Sequence, residues 1–237
     1  MNPFLSLARP VEQEEEMDAT DLPDIQYARV LAHLSRINML TLAARPTLAF
    51  VRTLLSQRSA DAPPLKLLDV GFGHGDSLRA IARTAHAMGR RVELVGVDLN
   101  PRSENCARMA TPAGAPIRLV TGDYRDLAGQ GWDAVISSLV AHHMNVGQRS
   151  EFLRFMESEA AAGWLVNDLH RQRLPYVGYP ALASLAMVDP IVRRDGQLSI
   201  ARSFRAAEWH SALGAADING ARVRRWFPWR LVVERIK

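Results

Sequence analysis

One cysteine, two lysines and no long apolar run narrow the possibilities for this sequence of 237 residues before any motif is read. The single cysteine, Cys106, excludes an internal disulfide, which fits a reducing cytoplasm. Its apolar neighbours recur at helical spacing, so it reads as a packing residue rather than a reactive thiol. No apolar stretch approaches the roughly 18 residues of a membrane span. The first residues lack the basic patch, apolar core and small-residue cleavage site of a secretory signal. A cytoplasmic chain without a membrane span is expected.

Lysine occurs only at Lys66 and Lys237, so the basic residues are nearly all arginine. They are scattered, and the acidic run from Glu12 to Glu16 stands among the first residues. A phosphate-binding face needs basic residues clustered on one surface. Only Arg222, Arg224 and Arg225 come close, and their alternation suits an exposed strand. Nucleic acid is therefore not expected as a partner, despite a formal net charge of +4.

Residues 1–21 are polar, acidic and without period, and are expected to form a mobile arm. From Leu22 the period becomes helical. Tyr27, Val30, Leu31, Leu34 and Ile37 make one apolar stripe, and Pro46 opens a second helix carrying Leu48, Val51, Leu54 and Leu55. Residues 22–60 thus read as an N-terminal helical cap. The main domain is expected over 61–237. Leu65 to Val70 reads as a buried strand, with further strands at Arg91–Val97, Ile117–Val120, Trp132–Ser137 and Gly163–Val166. Helices fall between them, with Asp76 or Ser77 as the cap of the first. Strands alternating with helices argue for a parallel sheet covered on both faces. Residues 174–204 interrupt the alternation and read as an inserted helical lid. A helix at Arg205–Gly214 and a closing strand pair, broken at Pro228, complete the chain.

The chemistry-bearing loop is Asp69-Val70-Gly71-Phe72-Gly73-His74-Gly75. A glycine loop between strand and helix brings a ligand close to backbone N–H groups at a helix N-terminus. Glycines at alternate positions remove the β-carbons that would block the approach. The second strand ends in Asp98, whose carboxylate can accept from both hydroxyls of a ribose. The third ends in Gly122-Asp123-Tyr124, where a carboxylate can accept from an adenine amino group. A dinucleotide fingerprint would space its glycines G-x-G-x-x-G. Here Asp76 stands where the third glycine would be, and its charge would repel a pyrophosphate.

Leu68 to Gly75, Gly96-Val97-Asp98, Gly122-Asp123 and Trp132-Asp133-Ala134-Val135-Ile136 resemble, in order and interval, the motifs of class I S-adenosylmethionine-dependent methyltransferases. The resemblance spans about residues 65–170 and is closest to the small-molecule, quinone or natural-product type. It implies an α/β, Rossmann-like seven-stranded sheet, its last strand antiparallel, with helices on both faces. It implies S-adenosylmethionine as cofactor. Asp69, Gly71, Phe72, Gly73 and Gly75 would surround the methionine part, Asp98 the ribose, and Leu99, Asp123 and Tyr124 the adenine.

Such a fold places its site at the carboxyl ends of the strands. His142, His143 and His170 fall there, and His143 and His170 are the candidate bases for a hydroxyl acceptor. No metal is expected. The expected activity is methylation of a small molecule, at a hydroxyl of a phenolic or polyketide-like metabolite. An RNA or protein methyltransferase, and a non-catalytic cofactor-binding partner protein, are the rival readings. A homodimer stays open.

Overall fold

The computed structural model describes residues 7–237. Helix α1 (Asp24–Leu40) and helix α2 (Arg45–Ser56) precede the sheet. Then come β1 (Leu65–Val70), α3 (Asp76–Ala87), β2 (Val92–Asp98), α4 (Pro101–Ala110), β3 (Ile117–Thr121) and β4 (Ala134–Ser138). Next are α5 (Val146–Glu159), β5 (Gly163–Leu169), α6 (Arg173–Leu185), α7 (Pro190–Arg202), α8 (Ala206–Ala215), β6 (Arg222–Trp226) and β7 (Arg230–Ile236). The sheet order is β3-β2-β1-β4-β5-β7-β6, and β7 runs antiparallel to both neighbours.

The central strands bury both faces, which is why β1 is nearly all apolar. Leu65 and Leu67 face a core shared with Phe50, Val51 and Leu54 of α2 and Leu78 and Ile81 of α3. Leu68 and Val70 face the opposite core, with Trp132, Phe152, Trp164 and Trp209. The period-two alternation therefore serves two layers at once. Strand order reverses between β1 and its neighbours β2 and β4, opening a crevice at their carboxyl ends.

Helix α1 closes that crevice. Val30 and Ile37 pack on Ile191 and Val192 of α7, while Tyr27 and Leu31 pack on Cys106 of α4. Cys106 is thus a packing residue, 8% exposed. Of the expected arm over residues 1–21, residues 1–6 lie outside the described residues, and residues 7–21 make specific contacts. Leu7 and Glu15 are buried, the Leu7 carbonyl accepts from Arg171 Nε at 3.0 Å, and the Val11 N–H donates to the Ala201 carbonyl at 3.2 Å. Lack of periodicity suggested mobility, but an irregular strap satisfied by partners distant in sequence needs no period. No helix among the described residues is long and apolar enough to cross a membrane.

Candidate active site

The loop after β1 turns on three left-handed glycines, Gly71, Gly73 and Gly75, at φ +77°, +51° and +79°. Gly75 ends the turn immediately ahead of α3, and its N–H donates to the Phe72 carbonyl at 2.7 Å. This corrects the expected cap. No side chain caps α3; Asp76 is its first residue and pairs with Arg79 and His74 instead. The glycine makes the turn by itself, so the Asp76 carboxylate is free to pair. A β-carbon on Gly71 would lie 2.2 Å from Val140 Cγ2. The loop after β4 therefore demands glycine there even without a ligand. Phe72 is 5% exposed and roots the loop in the core shared with α2 and α3.

Asp69 ends almost fully buried, and neither carboxylate oxygen has a hydrogen-bond partner. Burial, with the nearby charge of Asp98, pushes it up to about 7. An isolated buried carboxylate is costly, and a cationic or N–H-bearing ligand would relieve the cost. Asp98 also sits above the ordinary carboxylate range, because burial outweighs the N–H groups it accepts. Those donors are Asn100 and Gly73, both at 2.9 Å. Asp98 thus ties the second strand end to the glycine loop.

Asp123, expected beside adenine, has a local partner in the ligand-free structure. It accepts from the Arg125 N–H at 2.9 Å and from Arg125 Nε at 3.0 Å, and it does not line the crevice. Capping the one-turn helix Tyr124–Leu127 swings its carboxylate outward. Tyr124 does line the crevice, held by edge contacts to Phe152 and Phe155 at 5.1 and 4.8 Å. Leu99 stands on the rim, 76% exposed.

The crevice is one cavity of about 850 Å³. One end holds Asp69, Gly71, Gly73 and Asp98; the other runs beneath α6 and α7, past Tyr179, Leu182 and Ile200. Leu31, Leu34 and Asn38 of α1 roof it. His33 of α1 accepts from the Asp189 N–H at 2.8 Å and does not line the cavity. Asn167, at the end of β5, donates to the Ala43 carbonyl at 2.8 Å and leaves its own Oδ1 unpartnered at the wall.

The histidines separate. His170 is buried in a bridge to Phe204, does not line the cavity, and is held below the usual histidine range by burial and the nearby arginines. Its expected role as base would need it in the crevice, which His142 and His143 line and His170 does not. His143 lines the cavity and is 31% exposed. His142 is fully enclosed between Asp168, 2.8 Å from Nδ1, and Glu15, 3.5 Å from Nε2. Burial opposes its charge, but Asp168 and Glu15 outweigh it and push His142 up to about 10. Glu15 falls to about 2, since His142, His143 and Ser199 overcome its burial. Glu15 and Asp168 were not foreseen as site residues. Nothing local distinguishes Glu15 within its acidic run.

Residues 67–159 match the family model of the methyltransferase domain. The chain carries a methyltransferase domain. The match runs from β1 to α5, so the glycine loop, Asp98, Tyr124 and both cavity histidines belong to this methyltransferase domain. Helix α1, which roofs the cavity, and helices α6 and α7 lie outside the match. No curated protein matches the chain in sequence. Among solved structures, the domain's fold is similar to that of the plantazolicin methyltransferase, at 14% identity over 90% of this chain and 95% of that one, with a TM-score of 0.63. It is similar to human N-acetylserotonin methyltransferase, solved with S-adenosylmethionine, at 14% identity over 96% of this chain and 60% of that one, with a TM-score of 0.60. It is also similar to magnesium protoporphyrin IX methyltransferase from Synechocystis with bound S-adenosylmethionine, at 15% identity over 96% and 86%, with a TM-score of 0.54.

Proposed function

We propose that the chain transfers a methyl group from S-adenosylmethionine to a small, largely apolar acceptor, at a hydroxyl of a phenolic or polyketide-like metabolite. The observation that carries this is the form of the cavity. A buried carboxylate without partners, Asp69, stands beside the glycine loop at one end, and an apolar chamber under α6 and α7 forms the other. A cavity of about 850 Å³ lies within the range of roughly 300–1,000 Å³ that small-ligand sites occupy.

In this reading Asp69 accepts from the cofactor's ammonium group. Asp98 accepts from the ribose hydroxyls with the lone pairs its two backbone donors leave over. Leu99 and Tyr124 flank the adenine. The bound cofactor supplies a methyl group already activated on a sulfonium, so the protein chiefly has to orient the acceptor, an effect worth about 7–11 kcal/mol in favourable cases. Tyr179, Leu182 and Ile200 shape the acceptor chamber and exclude water. The names of the solved relatives for N-acetylserotonin and magnesium protoporphyrin IX support a small acceptor. The roof of α1 disfavours an RNA or protein chain, which would need an open groove.

The test is transfer of labelled methyl from S-adenosylmethionine to a panel of phenols and polyketide-like hydroxyls. Turnover of at least one is expected. Tight cofactor binding with no small acceptor turned over, but with RNA or protein labelled, would overturn the reading. Cofactor binding with no transfer to any acceptor would favour a non-catalytic partner protein.

A further inference from the structure

Two adjacent histidines turn the same ring nitrogen toward one carboxylate. His142 Nε2 lies 3.5 Å from Glu15 Oε1, and His143 Nε2 lies 3.8 Å from it. The three candidate ligand atoms all fall within 4.8 Å of one another. Ligand atoms about 2.0–2.1 Å from a tetrahedral zinc ion stand roughly 3.3 Å apart. Both separations to Glu15 are within about half an ångström of that spacing.

The outer nitrogens carry the second observation. His142 Nδ1 is 2.8 Å from Asp168 Oδ1, and His143 Nδ1 is 3.3 Å from Asp18 Oδ2. Metal-binding imidazoles commonly donate their other ring N–H to a carboxylate, which fixes the tautomer with the free lone pair facing the ion. Here both rings have that arrangement. A proton shared between Glu15 and His142 accounts for one ring only. It gives no reason for Asp18 to orient His143 toward the same oxygen. Charge points the same way. Glu15, Asp18 and Asp168 contact the two rings, and Asp195, which accepts from the Glu16 and Met17 N–H groups, lies close behind. Arg230 is the cation facing Asp168.

We propose that Glu15, His142 and His143 bind a divalent transition-metal ion of the zinc class, with a coordination position open to the cavity. All three residues line the cavity. The ion displaces the proton that Glu15 and His142 otherwise share. In binding it fastens the strap of residues 7–21 across the acceptor chamber. The open position takes an oxygen of the acceptor, a consequence that rests on the small-molecule reading above, whereas the ion itself does not.

The experiment uses the full chain, stripped with chelator and titrated with Co²⁺ followed by visible absorption, and with Zn²⁺ followed by calorimetry. One equivalent of Co²⁺ with ligand-field bands is expected. Glu15→Gln and His143→Ala should each weaken binding by at least roughly tenfold. Asp18→Asn, at a half-exposed outer position, should weaken it by about tenfold through His143. S-adenosylmethionine affinity serves as the measure of folding for each variant. Absence of saturable Co²⁺ binding overturns the proposal, as does binding unchanged in Glu15→Gln, His143→Ala or Asp18→Asn. An ion bound without any methyl transfer would keep the site and remove the proposed function. Turnover by a chain that binds no ion would do the reverse.

Discussion

The two ends of the cavity are built by different means. The glycine-loop end comes from short contiguous pieces, each a strand end and the loop that follows it. The other end joins a strap near residue 15, a histidine pair at 142 and 143, a strand end at 167–168, and two helices beyond residue 173. Both ends hold buried carboxylates, but in opposite states. Asp69 has no partner and is raised toward neutrality, while Glu15 and Asp168 are paired and held low. The first leaves both oxygens of a buried carboxylate without a donor; in the metal-free chain the second pairs its carboxylates with His142. A site thus separates a receptive end from a structurally braced end by how its charges are partnered.

Replacements that attack each end should separate the two most strongly. Gly71→Val forces a left-handed β-branched residue into Val140, at a cost of about 2–6 kcal/mol from strain and overlap together. S-adenosylmethionine binding should be lost by calorimetry, and Val140→Ala in the same chain should restore only the overlap part. At the braced end of the metal-free chain, Asp168→Asn leaves His142 charged beside a neutral amide. A loss of about 3–5 kcal/mol in denaturant unfolding is expected.

In the metal-free chain, the pH dependence of that end follows from His142. Its folded pKa is raised above the usual histidine value to about 10. The stabilisation is therefore complete below the unfolded value of about 6.5 and disappears as pH rises through about 10. Melting temperature should fall over that window in the parent chain and less steeply in Asp168→Asn. Equal slopes would show that His142 does not carry the charge.

The receptive end should behave in the opposite sense. Asp69 binds its proton more tightly folded than unfolded, so it lowers stability as pH rises from about 4 to about 7. Asp69→Asn should stabilise the ligand-free chain at pH 8 by on the order of 2–4 kcal/mol while weakening cofactor binding. A variant that gains stability and keeps full affinity would remove Asp69 from the cofactor.

Smaller effects sharpen the boundary. Asp98→Ala removes the acceptor of the Gly73 and Asn100 N–H groups as well as the proposed ribose partner, and should weaken cofactor binding by more than about tenfold. Asp123→Asn should change it by less than about threefold, since that carboxylate is turned to Arg125. A large loss there would return Asp123 to the adenine pocket.

The contrast also explains what could be read in advance. Asp69, the alternate glycines, Asp98 and Tyr124 are legible because each lies at the end of a strand whose neighbours in sequence build it. Asp123 occupies the right strand end, but one local hydrogen-bond choice with Arg125 turns it away. His170, just past β5, bridges Phe204 through the backbone and does not line the cavity, an arrangement set by a segment more than 30 residues away. Glu15 and Asp168 gain their meaning only from each other's position around His142, across more than 120 residues of chain.

The seven-stranded sheet was implied by the family resemblance; the sequence by itself determined the alternating architecture and the glycine turn after β1. Those follow from periodicity and from glycine's freedom at positive φ, which are local properties. Only the tertiary structure decided which carboxylate is orphaned, which histidine is enclosed, and that the acidic strap closes the chamber. Those depend on burial and charge at distances of a few ångströms between residues far apart in the chain, and no local pattern encodes them.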